Sequence, residues 1–195
     1  AKITVPPGVR ASYSNLAFDL LADALAQATG KSYPSLLKEK VTQPLGMKDT
    51  TYTPSPEQCS RMIVPARGAS PCQSSLAAIG SGGIYSTPED MQRWMQQFLS
   101  SSTQPRSPYA QQLLKMYYQR EKLTMIKGMD VPGKAAALGL GWVYMAPQNG
   151  LPGMIQKTGG GGGFITYMAL IPEKNVGVFV VVARTELSKF TNMSD

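Results

Sequence analysis

Beyond Gly139 the chain changes its grammar. Four short runs, at 141–145, 155–158, 164–171 and 176–184, read as strands, and Pro172-Glu173-Lys174-Asn175 separates the last two. So tight a reversal between two strand-like runs makes an antiparallel hairpin. Ahead of them the period is helical. Leu16, Leu20, Leu21, Ala24, Leu25 and Ala28 form an apolar stripe over 15–29, with Gly30 as a stop. A second helix is expected over 34–42, with Pro34 in its first turn, and residues 50–80 read as irregular. Thr87-Pro88-Glu89-Asp90 resembles a capping box, and Met91, Trp94, Met95, Phe98 and Leu99 give the following helix a core-facing stripe. A Ser/Pro-rich loop at 100–108 and a helix over 109–120 complete this part. Helices first and a meander of strands afterwards predict an α+β fold, with helices packed on an antiparallel sheet. The chain shows no repeat and no internal boundary, so one domain is expected: a helical region at about 1–137 and a sheet region at about 138–195. Both ends read as cut, since a sheet this apolar on both faces needs another covering layer.

Composition removes several function classes. The net charge is +7, but the lysines and arginines are scattered, without the stripe or aromatic signature of nucleic-acid recognition. A basic surface suits an anionic polymer or a carboxylate-bearing substrate instead. The chain contains no histidine, which removes Ser-His-Asp triads and imidazole metal sites. Any hydrolytic base must be a lysine, a tyrosine or a carboxylate. Cys59 and Cys72 enclose twelve residues rich in turn formers. A disulfide between them fits an oxidising compartment, and two unpaired thiols are the alternative. The longest apolar run, 176–183, is too short to span a bilayer.

Two motifs carry chemistry. In Lys157-Thr158-Gly159, a lysine at a strand offers a point charge to a substrate carboxylate, and the threonine hydroxyl shares that contact. Gly159 leaves room for substrate along the strand edge, and the N–H of Gly160 is free to donate to an oxyanion. A flexible hairpin with an exposed lysine is the plainer reading. A phosphate loop does not fit, because the lysine precedes the glycines. Tyr13-Ser14-Asn15 stands just before the first helix. The plainer reading makes Ser14 or Asn15 simply its N-cap; the chemical reading makes Tyr13 a base or proton relay and Asn15 a holder of the substrate amide.

Taken in order, Ala11 to Ala17, Pro44-Leu45-Gly46-Met47-Lys48-Asp49-Thr50, the segment from Gly82 to Met91, Leu138-Gly139-Leu140-Gly141-Trp142 and the terminal Lys-Thr-Gly hairpin resemble class C β-lactamases and related penicillin-binding hydrolases. The resemblance covers essentially the whole chain. It implies a β-lactamase/transpeptidase-like fold, here incomplete, and a serine D,D-peptidase (D-alanyl-D-alanine carboxypeptidase and endopeptidase). Such an enzyme acts on peptidoglycan stem peptides through an acyl-enzyme and binds β-lactams. It implies catalytic roles for Tyr13, Asn15 and Lys157, substrate-binding roles for Thr158, Gly159 and Gly160, and no metal or organic cofactor. It also implies a periplasmic location, with peripheral inner-membrane association as an option. The glycines after Lys-Thr-Gly replace the Ser or Thr of the lactamases proper, which fits a peptidase with weak lactamase activity. The family's nucleophile, a Ser-x-x-Lys, is expected upstream of this chain. The one such motif present, Ser35-Leu36-Leu37-Lys38, follows Tyr-x-Asn instead of preceding it and reads as ordinary helix. The alternatives are a class C β-lactamase or esterase on the same fold, or a non-catalytic peptidoglycan-binding fragment.

Overall fold

The computed structural model describes residues 5–100, 106–128 and 135–184. The expected loop at 100–108 therefore lies largely outside the described residues, as does the chain after Arg184. A short strand β1 (Arg10–Ser12) leads into α1 (Asn15–Thr29), which ends on Gly30 in the left-handed conformation (φ 65°). Its Gly C-cap is the expected stop, because a residue without a Cβ adopts that geometry at no steric cost. α2 (Tyr33–Leu37) runs on into a π-helical turn, Lys38–Thr42, so the second expected helix is present with a looser last turn. The irregular stretch that follows contains one short helix, α3 (Pro56–Ser60). Ser55 and Gln58 close a capping box at its start.

α4 (Pro88–Gln96) begins as the sequence indicates, with Thr87 accepting from the Asp90 N–H. The reciprocal half of the box is absent. The buried Asp90 carboxylate instead accepts from the Asp49 N–H at 2.8 Å and from the Thr50 hydroxyl at 2.7 Å, tying α4 to the chain after α2. The Met/aromatic stripe does build the core. Phe98 is fully buried and meets Trp94 and Trp142 edge to face, and Met91, Met95 and Leu99 pack around it.

Two expectations need correction. The helix expected over 109–120 is only α5 (Pro108–Leu113), and the chain then enters a strand, β2 (Met116–Gln119). Tyr117 and Tyr118 favour extended backbone, and the ladder to β4 (Ala135–Gly139) overrides helix propensity here. The region 1–137 is accordingly not purely helical, since it holds β1, β2, β3 (Met125–Lys127) and the start of β4. The sheet continues through β5 (Val143–Met145), β6 (Met154–Gly161), β7 (Phe164–Ile171) and β8 (Val176–Ala183). Six strands run antiparallel in the order β2-β4-β5-β6-β7-β8, while β1 pairs in parallel with β3. The β7–β8 reversal is a single 3₁₀ turn closed by Asn175 at φ 57°. α4 and α5 lie on one sheet face through the Phe98 cluster; Ala11 and Ile126 pack with Leu123, Leu138 and Val143 in a second cluster. The α1 stripe departs from expectation: Leu16, Leu20, Leu21 and Leu25 are exposed and Ala22 is buried. This helix is held through its contacts with α2 and through Asp19, not through its leucines.

Tyr52 is buried, and its hydroxyl donates to the carbonyl of Ile79. Burial, followed by the nearby Tyr33 and Asp19, pushes its phenol up to about 12. Between the unfolded value near 10 and this folded value, the native state keeps a proton that the unfolded chain has lost. Stability contributed by Tyr52 is therefore present below pH 10 and falls as pH rises towards 12. Urea unfolding across this window is expected to show a shallower decline for Tyr52→Phe than for wild type. Parallel declines would remove Tyr52 as a source of alkaline sensitivity.

Candidate active site

Tyr13 is placed by main-chain pairing. The β1–β3 ladder matches Arg10 with Met125 and Ser12 with Lys127, and the Tyr13 N–H extends it by donating to the Lys127 carbonyl at 2.9 Å. Gly128 follows at φ 69°. A Cβ there would stand 3.2 Å from the Tyr13 Cβ, so the missing side chain lets the tyrosine lie close. At Ser14 the chain turns into α1, with the Ser14 hydroxyl accepting from the Ala17 N–H at 3.1 Å. The cap reading of Ser14 and the placement of Tyr13 are thus compatible. Asn15 opens the helix and is exposed.

Lys157 and Thr158 sit in the middle of β6. β7 pairs with β6 from Ile155 to Gly161, but β5 covers only Met154 to Gln156. Among the described residues, β6 therefore has an open edge from Lys157 onward. The two-residue turn at Gly162 and Gly163, both at positive φ, makes Gly161 and Phe164 the first hydrogen-bonded pair. Antiparallel alternation then directs the main-chain groups of Gly160 and Thr158 away from β7, towards that open edge. Gly159, Gly160 and Gly161 extend the strand, leaving only Gly162 and Gly163 for the turn, and Gly159 and Gly160 are exposed. At Gly159 a Cβ would meet the Thr166 hydroxyl at 2.6 Å, so β7 as well as the edge requires a small residue here.

The Lys157 ammonium lies 5.1 Å from the centre of the Tyr13 ring, within cation–π range, and donates to the Thr158 carbonyl at 2.9 Å. The two motifs, 144 positions apart, thus meet at the open edge. An ammonium and a phenol ring stand together at the edge that, three residues further along β6, also presents the outward Gly160 N–H. An extended peptide can add along such an edge, with its carboxylate near the ammonium and a carbonyl near the Gly160 N–H. Ser35 and Lys38 contribute nothing to this cluster. Ser35 bonds to Ser32 in the first turn of α2, at 2.8 Å between hydroxyls.

Sequence reasoning missed what borders the hairpin tip. Cys59 and Cys72 form a disulfide, and the loop they enclose reaches the β6–β7 turn. A Cβ on Gly163 would lie 2.4 Å from Pro65 and 2.5 Å from the Arg67 carbonyl oxygen. The Arg67 N–H donates to the Arg184 carbonyl, and the Arg184 N–H to the Gly163 carbonyl. The cysteine pair was the available signal; the surface it presses against was not encoded locally.

The Beta-lactamase family profile matches residues 1–193. The chain belongs to the beta-lactamase family. Within this family it is 67% identical, over all 195 residues, to the D-alanyl-D-alanine-carboxypeptidase/endopeptidase AmpH of Escherichia coli (strain K12), and covers 51% of that protein. The crystal structure of a beta-lactamase/D-alanine carboxypeptidase from Yersinia pestis, complexed with citrate, superposes with a TM-score of 0.93 at 64% identity. It matches 100% of this chain and 55% of its own. A class C beta lactamase from Rhodobacter sphaeroides shares the fold at 19% identity and a TM-score of 0.67, over 89% of this chain and 55% of its own. The expected β-lactamase/transpeptidase-like α+β architecture is therefore present. The chain spans about half the length of the curated relatives it matches.

Proposed function

We propose that the protein is a serine D,D-peptidase, a D-alanyl-D-alanine carboxypeptidase and endopeptidase of peptidoglycan stem peptides that is also acylated by β-lactams. The observation that carries this reading is the Lys157 ammonium against the Tyr13 ring at the open edge of β6, in a chain 67% identical to a peptidase of that name. The acyl-accepting serine and its lysine come from outside these 195 residues. The serine oxygen attacks the carbonyl carbon of the penultimate D-alanine. Its proton passes through that lysine and Tyr13 to the nitrogen of the departing D-alanine as the C–N bond breaks. Lys157 and Thr158 hold the terminal carboxylate, Asn15 holds the substrate amide, and the N–H of Gly160 donates to the oxyanion. Water then hydrolyses the ester. The site requires no metal or organic cofactor.

The substrate and the Cys59–Cys72 disulfide both favour the periplasm. No helix among the described residues is long and apolar enough to cross a membrane. Peripheral attachment to the inner membrane is compatible with the basic surface.

In the full-length enzyme, Tyr13→Phe is expected to lower the acylation rate at least about tenfold, as for loss of a positioned proton carrier. Stopped-flow acylation by a penicillin measures it, and an unchanged rate would remove Tyr13 from the mechanism. The glycine run favours peptidase over lactamase chemistry, because it lacks the hydroxyl that the lactamases place after Lys-Thr-Gly. Relative rates on a D-Ala-D-Ala peptide, a cephalosporin and a p-nitrophenyl ester separate the two activities.

A further inference from the structure

We infer that the Cys59–Cys72 disulfide is a redox-sensitive support of the β6–β7 hairpin, and that its reduction slows acylation at the edge leading to that turn. The inference rests on the peptidase reading above. The bridge acts by positioning and does not touch substrate.

Residues 61–71 form neither helix nor strand, so side-chain contacts and the bridge define the path of this loop. Ile63, Val64, Ala66 and Arg67 are exposed, while Pro65 among them is buried. Pro65 meets the hairpin tip, where a Cβ on Gly163 would lie 2.4 Å from its ring. Two further loop residues approach the same turn. A Cβ on Gly68 would stand 3.4 Å from the Gly163 Cα, and one on Gly162 would stand 3.9 Å from the Ser70 hydroxyl. The Arg67 N–H donates to the Arg184 carbonyl at 3.3 Å, and the Arg184 N–H donates in turn to the Gly163 carbonyl at 2.8 Å. The strand that carries Lys157 and Gly160 therefore ends against a loop whose two ends are covalently joined.

The loop keeps other anchors at its base. Arg61 pairs with Asp49 at 2.6 Å, and the Tyr85 hydroxyl donates to the Pro71 carbonyl at 3.3 Å. Opening the bridge thus widens the loop's conformational freedom without detaching its ends. Both cysteines are half-buried, and Cys72 lines a surface pocket with Gln58, Arg61, Met62 and Tyr85, which gives a small dithiol a path to the bridge. One thiolate of the dithiol attacks a bridge sulfur and the S–S bond breaks; the dithiol's second sulfur then closes on its first. Two electrons and two protons pass to the cysteines, leaving two thiols and an oxidised cyclic disulfide. The freed loop no longer packs the tip. Gly160 is three residues from Gly163 and Lys157 is six, so the oxyanion donor shifts more than the ammonium.

The test is stopped-flow acylation of the full-length enzyme by a penicillin, in the oxidised, dithiol-reduced and reoxidised states, with circular dichroism following the fold. Reduction is expected to lower the acylation rate constant at saturating penicillin at least about fivefold, as for a misplaced oxyanion donor. The half-saturating concentration should change less, and the loss should reverse on reoxidation. Cys59→Ser/Cys72→Ser is expected to match the reduced enzyme and to ignore the dithiol. Pro65→Gly, with the bridge intact, is expected to lower the rate constant too, and it decides with the reduced enzyme should the serine variant fail to fold. Unchanged acylation in the reduced enzyme overturns the proposal. So does loss of the whole fold on reduction, which makes the bridge a structural staple only. A serine variant that the dithiol still slows, or a Pro65→Gly enzyme with the wild-type rate, overturns it as well. A wild type that penicillin never acylates would instead strike at the peptidase reading itself.

Discussion

Replacing Lys157 with alanine in the full-length enzyme is expected to lower kcat/KM on a D-Ala-D-Ala peptide by about 10²–10³-fold, roughly 3–4 kcal/mol of transition-state stabilisation. The half-buried ammonium provides the positive charge at the open edge of β6, where a terminal carboxylate must sit. Its loss removes a charge-assisted contact to substrate and the cation held over Tyr13. A p-nitrophenyl ester without a carboxylate should lose much less rate than the peptide. Equal losses on both substrates would mean that Lys157 does not read the carboxylate.

Gly163→Ala is expected to destabilise the folded protein by about 3 kcal/mol, from a left-handed backbone penalty and overpacking together. Gly163 has φ 86°, and the new methyl would collide with the Arg67 carbonyl oxygen at 2.5 Å and the Gly68 carbonyl carbon at 3.0 Å. Backbone atoms cannot swing aside as a flexible side chain can. The Cys59–Cys72 bridge restricts retreat of the loop that carries them. Gly161→Ala supplies the control two residues away. Its Cβ would meet nothing and its φ is ordinary, so its cost should stay within about 1 kcal/mol. Urea denaturation compares the pair, and equal costs would show that the loop does not bear on the hairpin tip.

Where the signal was local, the sequence was readable. α1 was bounded by its capping residues and Gly30, and β7 and β8 by a turn of unmistakable composition. What resisted was non-local. β1 and β3 have three residues each and exist because each pairs with the other across more than a hundred positions. β2 took its conformation from β4, and the helical pattern expected over 109–120 yielded to that ladder. Asp90 looked like a capping residue, yet its carboxylate serves Asp49 and Thr50 from another element. The candidate site divides in the same way. Tyr13, Asn15 and Lys-Thr-Gly were legible as motifs through a family resemblance. The open edge of β6, the direction of the Gly160 N–H and the loop against Gly163 depend on strand lengths and register, which no window of sequence contains.

The most direct measurement is the intact mass of the full-length protein before and after incubation with a penicillin. The account predicts a species heavier by one penicillin, formed more slowly by Tyr13→Phe. A folded wild-type protein whose mass is unchanged at saturating penicillin would contradict it.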